Sequence, residues 1–195
     1  MIRILVALCM ALLTLWSCPA ASISTDFTPV RGYTLVPPTG SPDFCDRYPA
    51  ECLPAAAVAP HFNTRQLAQV AAVNRAVNIE ITPRTDPDHW GVPERWDFAE
   101  DGSGDCEDYA LVKRRRLEAL GFPRGALLLT VVMTAWGESH MVLTLHAAYG
   151  DFILDANTNR VLPWHRTDLT FVAREEPTNP RLWRMLEGAG EGAPR

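Results

Sequence analysis

The sequence predicts an α+β domain in which a helix carrying a cysteine packs on an antiparallel sheet. Three observations predict it. Apolar residues recur every three or four positions over residues 64–81. Residues 105–120 open acidic, close basic and end at Gly121 and Pro123. From residue 126 onward, β-rich runs alternate with turn signals.

The chain has 195 residues, 47% hydrophobic and 21% charged, an ordinary globular composition that fits one domain. Its 18 Lys and Arg against 23 Asp and Glu give a net charge of -5, which argues against a nucleic-acid partner. Residues 1–20 read as a secretory signal, with Arg3 in the charged region, Ile4 to Trp16 as the apolar stretch and Ser17-Cys18-Pro19-Ala20-Ala21 at the cleavage site. That apolar stretch falls short of the roughly 20 residues that span a bilayer. The expected mature protein is therefore periplasmic, without a transmembrane helix. Leu15-Trp16-Ser17-Cys18 also resembles a lipoprotein cleavage box with an atypical Trp, which makes lipid anchoring at Cys18 the alternative reading.

Residues 21–60, rich in Pro, Thr and Ser, read as an extended arm that wraps the core. Cys45 and Cys52 flank a Pro-containing loop at a spacing that could close a local disulfide. The main folded domain is expected over residues 61–187. Its first helix carries Leu67, Val70, Ala71, Val73, Val77 and Ile81 on one face, with Thr64 as the N-cap. Asn74 and Asn78, one turn apart, either face solvent or bond a neighbouring loop. Residues 82–104 hold three glycines and three prolines around Trp90 and Trp96, and read as a long functional loop packed by aromatics. Gly104 permits the turn into the second helix and Asp105 caps it. Strands are expected over 126–135, 139–147 and 152–155, and a short one over 160–164 or 170–173. Residues 180–186 read as a terminal helix and 188–195 as a disordered tail.

Cys9 and Cys18 leave with the signal, and a Cys45–Cys52 bridge would leave Cys106 as the free thiol. At the first turn of a helix, backbone N–H groups stabilise a thiolate and can hold the oxyanion formed when it attacks an acyl carbon. Asp105, Glu107 and Asp108 oppose this unless they point away or are neutralised by a cation or an Arg. A buried structural cysteine is the bland alternative. Of His61, His89, His140, His146 and His165, His140 opens a strand and so offers a rigidly held base. His146 shares its face but lies roughly 20 Å further along an extended strand. Asp155 ends the next strand, where a carboxylate could orient the imidazole. Direct pairing of His140 with Asp155 requires a turn centred between Ala147 and Ala148. Tyr149-Gly150-Asp151 centres about two residues later, so a bulge or stagger is needed.

Gly104-Asp105-Cys106-Glu107-Asp108-Tyr109-Ala110, Ser139-His140-Met141-Val142-Leu143 and Ile153-Leu154-Asp155 together resemble the bacterial transglutaminase-like cysteine peptidases. The resemblance extends over residues 40–165 through Phe44-Cys45 to Cys52, Asn74, Asn78, Trp90-Gly91 and Trp96. It implies a papain-like, transglutaminase-like core with a triad of Cys106, His140 and Asp155, and with Trp96 walling the cleft beside the oxyanion site. The family includes a periplasmic protease that cuts a large biofilm adhesin, needs calcium and answers to an inner-membrane receptor. By that resemblance Asp105, Glu107 and Asp108 would be the calcium ligands, the substrate a surface or secreted protein, and a similar receptor a possible partner; no organic cofactor is implied. Transamidation by the same acyl-enzyme, and a non-catalytic peptide-binding module, are the competing readings.

Overall fold

A computed structural model describes residues 27–34 and 36–186; the signal at 1–20, Cys18 and the tail at 188–195 lie outside the described residues. In chain order come β1 (Val30–Thr34), α1 (Ser41–Arg47), α2 (Thr64–Glu80), β2 (Thr82–Pro83), α3 (Asp86–Trp90), β3 (Ser103–Gly104) and α4 (Cys106–Ala119). The sheet strands follow as β4 (Leu127–Met133), β5 (Ser139–Ala147), β6 (Gly150–Leu154), β7 (Leu162–Pro163), β8 (Thr170–Glu176) and β9 (Asn179–Leu186). Seven strands form one antiparallel sheet in the order β1-β9-β8-β4-β5-β6-β7, and β2 pairs with β3 in a small parallel ladder. The expected α+β architecture is what forms.

The helix α4 is the hub, packed against β5 on one side and α2 on another. Leu111 and Leu117 are fully buried on it, and Tyr109 Oη donates to Ile81 O at 2.6 Å, tying α4 to the end of α2. The N-cap of α2 is Asn63 rather than Thr64. Asn63 Oδ1 accepts from Gln66 N and Gln66 Oε1 accepts from Asn63 N, which satisfies two end-of-helix donors at once.

Other expectations are corrected as well. Residues 180–186 form β9, because pairing with β8 on one edge and β1 on the other overrides a local pattern compatible with a helix. Both alternatives for the late short strand form, as β7 and β8. The arm is also more than a wrapping: it contributes β1 and α1, and Phe44 of α1 is 1% exposed among Tyr48, Trp96 and Phe98.

Cys45 and Cys52 are disulfide-bonded, with Cα atoms 5.5 Å apart and a sequence separation of 7. Closing so short a loop removes denatured-state entropy worth about 2–3 kcal/mol. The double variant Cys45→Ser/Cys52→Ser is therefore expected to lose about that much unfolding free energy in a urea titration. No helix among the described residues is long and apolar enough to cross a membrane.

Candidate active site

The site begins where β3 delivers the chain into α4. Thr82 N donates to Gly102 O and Arg84 N to Gly104 O, which fixes the approach. Gly104 is required there: a Cβ would lie 2.5 Å from Asp108 Oδ2 and 2.8 Å from Asp108 Cβ. Asp105 occupies the N-cap in extended conformation, without a side-chain cap, so Cys106 is the first helical residue and the first-turn N–H groups point out of the helix beside its thiol. Cys106 is the free cysteine among the described residues and is half-buried.

Its surroundings are acidic. Cys106 Sγ donates to Glu107 Oε2 at 3.2 Å. Burial, then the Glu107 charge and hydrogen bond, push the thiol well above its ordinary range, against a backbone hydrogen bond at Met141 that favours thiolate.

His140, on β5, and Cys106 line one cavity of about 580 Å³, with Trp96, Trp183, Met141 and Glu94 among its walls. Trp96 itself is nearly sealed, its Nε1 donating to Glu94 Oε1 at 2.8 Å. Gly40 packs against that indole: its φ is +89° and a Cβ would come 2.5 Å from Trp96 Cδ1.

His140 Nε2 lies 2.7 Å from Asp155 Oδ1 and 3.3 Å from Asn157 Nδ2, which leaves Nδ1 as the ring nitrogen turned away from the carboxylate. The stagger that the spacing demanded is visible in the register. Leu143 pairs with Leu154 and Ala147 with Gly150, so the hairpin turns at Ala148-Tyr149 and the continued register sets Asn157 opposite His140. Asp155 reaches His140 diagonally from just beyond the end of β6. Burial alone would raise the Asp155 carboxyl. Its hydrogen bonds from His140 and Asn157 N, with the His140 and Lys113 charges, outweigh burial and hold it below the usual range.

Other histidines are engaged elsewhere. His146 Nδ1 meets Asp151 Oδ1 at 2.6 Å, and Arg174 holds the other Asp151 oxygen at 2.7 Å. His89 meets Asp101 at 2.7 Å and stacks on Trp90.

The acidic residues separate into two sets. Asp86, Asp105 and Glu107 each offer an oxygen, all within 4.8 Å of one another. Asp86 Oδ1, Asp105 Oδ1 and Glu107 Oε1 are buried without a hydrogen-bond partner. Burial, followed for Asp105 and Glu107 by neighbouring carboxylates, raises all three, Glu107 to about 10. Unpartnered buried carboxylate oxygens converging on one point fit a hard divalent cation such as calcium. Asp108 lies outside this trio, although its Oδ2 is also buried without a partner. Its Oδ1 accepts from Asp97 N at 2.6 Å, and burial raises it to about 8. Asp86, at the start of α3 with Oδ2 accepting from Arg95 N, is the member that sequence reasoning missed. The only signal was its place in a long ordered loop beside Trp90.

A family model described as bacterial transglutaminase-like cysteine proteinase matches residues 31–191. The solved structure of calcium-bound Legionella pneumophila LapG is 28% identical with a TM-score of 0.54, covering 65% of this chain and 72% of that one. A second LapG structure gives 28% identity and a TM-score of 0.51 over 64% and 71%, and an EGTA-treated one 28% and 0.50 over 63% and 72%. A search of curated proteins finds no match. The free cysteine at the head of a buried helix, the histidine that shares its cavity and the match over most of the chain lead to one conclusion: the chain belongs to the bacterial transglutaminase-like cysteine proteinase family and is a cysteine peptidase.

Proposed function

We propose that this is an exported, calcium-dependent cysteine endopeptidase whose triad is Cys106, His140 and Asp155, acting on a surface or secreted protein such as a large adhesin. The observation that carries the reading is the His140–Asp155 contact of 2.7 Å in the cavity that Cys106 lines at the head of α4. With Asp155 accepting from Nε2, His140 Nδ1 is the base that takes the thiol proton. The sulfur attacks the peptide carbonyl, and the Cys106 N–H at the helix start stabilises the oxyanion. The proton then passes from His140 to the leaving amine, and water, deprotonated by the same imidazole, hydrolyses the thioester. Asp86, Asp105 and Glu107 would hold calcium, which supplies the positive charge that neutralises the carboxylates beside the thiol. Likeness to calcium-bound and EGTA-treated LapG supports that part of the reading. Export to the periplasm rests on residues 1–20. Control by an inner-membrane receptor rests on the family resemblance alone.

The test is incubation of the chain from residue 21 onward with N-terminal fragments of exported adhesins, in calcium, with a labelled amine present. Discrete cleavage yielding a free carboxylate is expected. Intact fragments, or amine incorporated at glutamine in place of cleavage, would contradict the proposal, the second outcome in favour of transamidation.

A further inference from the structure

The turn that follows β6 brings a second side chain to the base. Asp155 Oδ1 accepts from Asn157 N at 2.9 Å, an aspartate bonding the backbone two residues on, which shapes that turn. The continued β5–β6 register sets Asn157 opposite His140, and its amide, at Nδ2, stands 3.3 Å from His140 Nε2. Asn78 Nδ2, from α2, donates to Asp155 O at 2.9 Å and to Thr158 O at 3.0 Å, so the loop is fixed on both sides of Asn157. Asn157 itself is exposed, and core packing does not call for an amide there.

The proton on the ring decides which end of that amide meets it. An amide oxygen and an amide NH2 fill the same shape, and a half-turn about the side chain exchanges them. Nε2 carries its hydrogen toward Asp155 Oδ1 at 2.7 Å, so an NH2 aimed at the same nitrogen would set donor against donor. With Oδ1 in that place instead, Nε2–H is shared between the carboxylate and the amide oxygen. Asn157 then holds both partners, Asp155 through its backbone and His140 through its side chain.

We propose that Asn157 is a positioning residue of His140, its side-chain oxygen accepting from Nε2–H beside Asp155. The inference rests on the triad reading. Two acceptors on one N–H resist rotation of the ring and keep Nδ1 free as the base. They also favour the imidazolium formed when the thiol proton arrives, because a charged donor makes the stronger hydrogen bond. Asn157 lies outside the lining of the Cys106 cavity, so it acts through His140 alone.

The experiment follows the His140 ring C–H resonance by NMR against pH, in calcium and in a Cys106→Ala background so that no thiol titrates beside the ring. Glu94, Asp105 and Glu107, which line the cavity with His140, are the same in every variant. Asn157→Ala is expected to lower the His140 midpoint by roughly 0.5–1 pH unit, and Asn157→Asp, of the same shape but able only to accept, to raise it. With Cys106 restored, Asn157→Ala should lower kcat on a chromogenic peptide ester roughly 3- to 10-fold with KM little changed. Asn157→Asp should keep kcat within about threefold of the parent above its own midpoint. An unmoved midpoint in Asn157→Ala overturns the proposal, and a raised one does so by showing that the NH2 faces the ring. Every variant keeps the backbone N–H that makes the turn, so loss of fold in both would make Asn157 a structural requirement and overturn it too. Asp155→Asn in the same background should lower the midpoint further than Asn157→Ala does. If Asp155→Asn leaves it unmoved, the triad reading falls and takes this inference with it, whereas an unmoved midpoint in Asn157→Ala alone removes only Asn157.

Discussion

Cys106→Ala is expected to abolish peptide cleavage, and Asp155→Asn to lower kcat by roughly 10³- to 10⁴-fold with KM nearly unchanged. The first follows because no other free thiol is present among the described residues. The second follows from the tautomer. Asp155 accepts at His140 Nε2 from 2.7 Å away, which puts the ring proton on Nε2 and leaves the lone pair on Nδ1 for the thiol. An Asn at this position can present its amide N–H to Nε2 instead, which favours the opposite tautomer and a base with its proton on the wrong nitrogen. His140→Ala should match Cys106→Ala, because groups that act as a unit are not additive. Steady-state kinetics of the three variants, with circular dichroism to show that each is folded, make the check. A fall in kcat below tenfold for Asp155→Asn would remove Asp155 from the machinery. The same residue bears on stability. Its carboxyl is held below the usual range, so its contribution is present above the unfolded value near 4 and is lost as the pH falls through the folded one.

Asp86→Asn is expected to separate stability from activity in opposite directions. Without calcium, the three buried carboxylates disfavour one another's charge, so neutralising one should raise the melting temperature. The amide oxygen can still accept from Arg95 N, so the α3 anchor survives. In the parent, saturating calcium should raise the melting temperature with a dependence on free calcium, the unfolding free energy growing by about 3 kcal/mol at a hundredfold excess over Kd. In Asp86→Asn that response should fall away, with the Kd raised roughly 10- to 100-fold and cleavage at low calcium lost in step. Thermal melts and isothermal titration across a calcium series read both effects. A parent indifferent to calcium and chelator, with Asp86→Asn fully active, would show that the cluster is not a functional metal centre. Asp108→Asn serves as the contrast: it should perturb the Asp97 loop that Asp108 caps while leaving calcium affinity within a few-fold.

What the chain reveals before folding depends on how local the cause is. The head of α4 was legible because a glycine, a capping aspartate, an acidic first turn and a basic last turn all lie within one stretch. The His140–Asp155 pairing was legible only as a requirement for stagger, which the Ala148-Tyr149 turn meets. Asp86 was illegible because it reaches the site through the path of the 82–104 loop rather than through helical spacing. Counting carboxylates along α4 instead puts Asp108 forward, whose Oδ1 accepts from Asp97 N while its Oδ2 is buried without a partner. The strand β9 was misread for the same reason. Leu182, Trp183, Met185 and Leu186 satisfy a helical spacing as well as a strand, and the choice was made by partners remote in sequence, β1 and β8. Asn74 and Asn78 face the 155–158 loop rather than solvent, a choice made by tertiary packing that their spacing left open.

The most direct test of the central claim is intact-mass analysis of the chain from residue 21 onward, quenched in acid during turnover of an activated peptide ester in calcium. One acyl group is expected, mapped to Cys106, forming and decaying at the turnover rate and absent in His140→Ala. Turnover with no acyl group on Cys106, or equal acylation of Cys106 in His140→Ala, would contradict it.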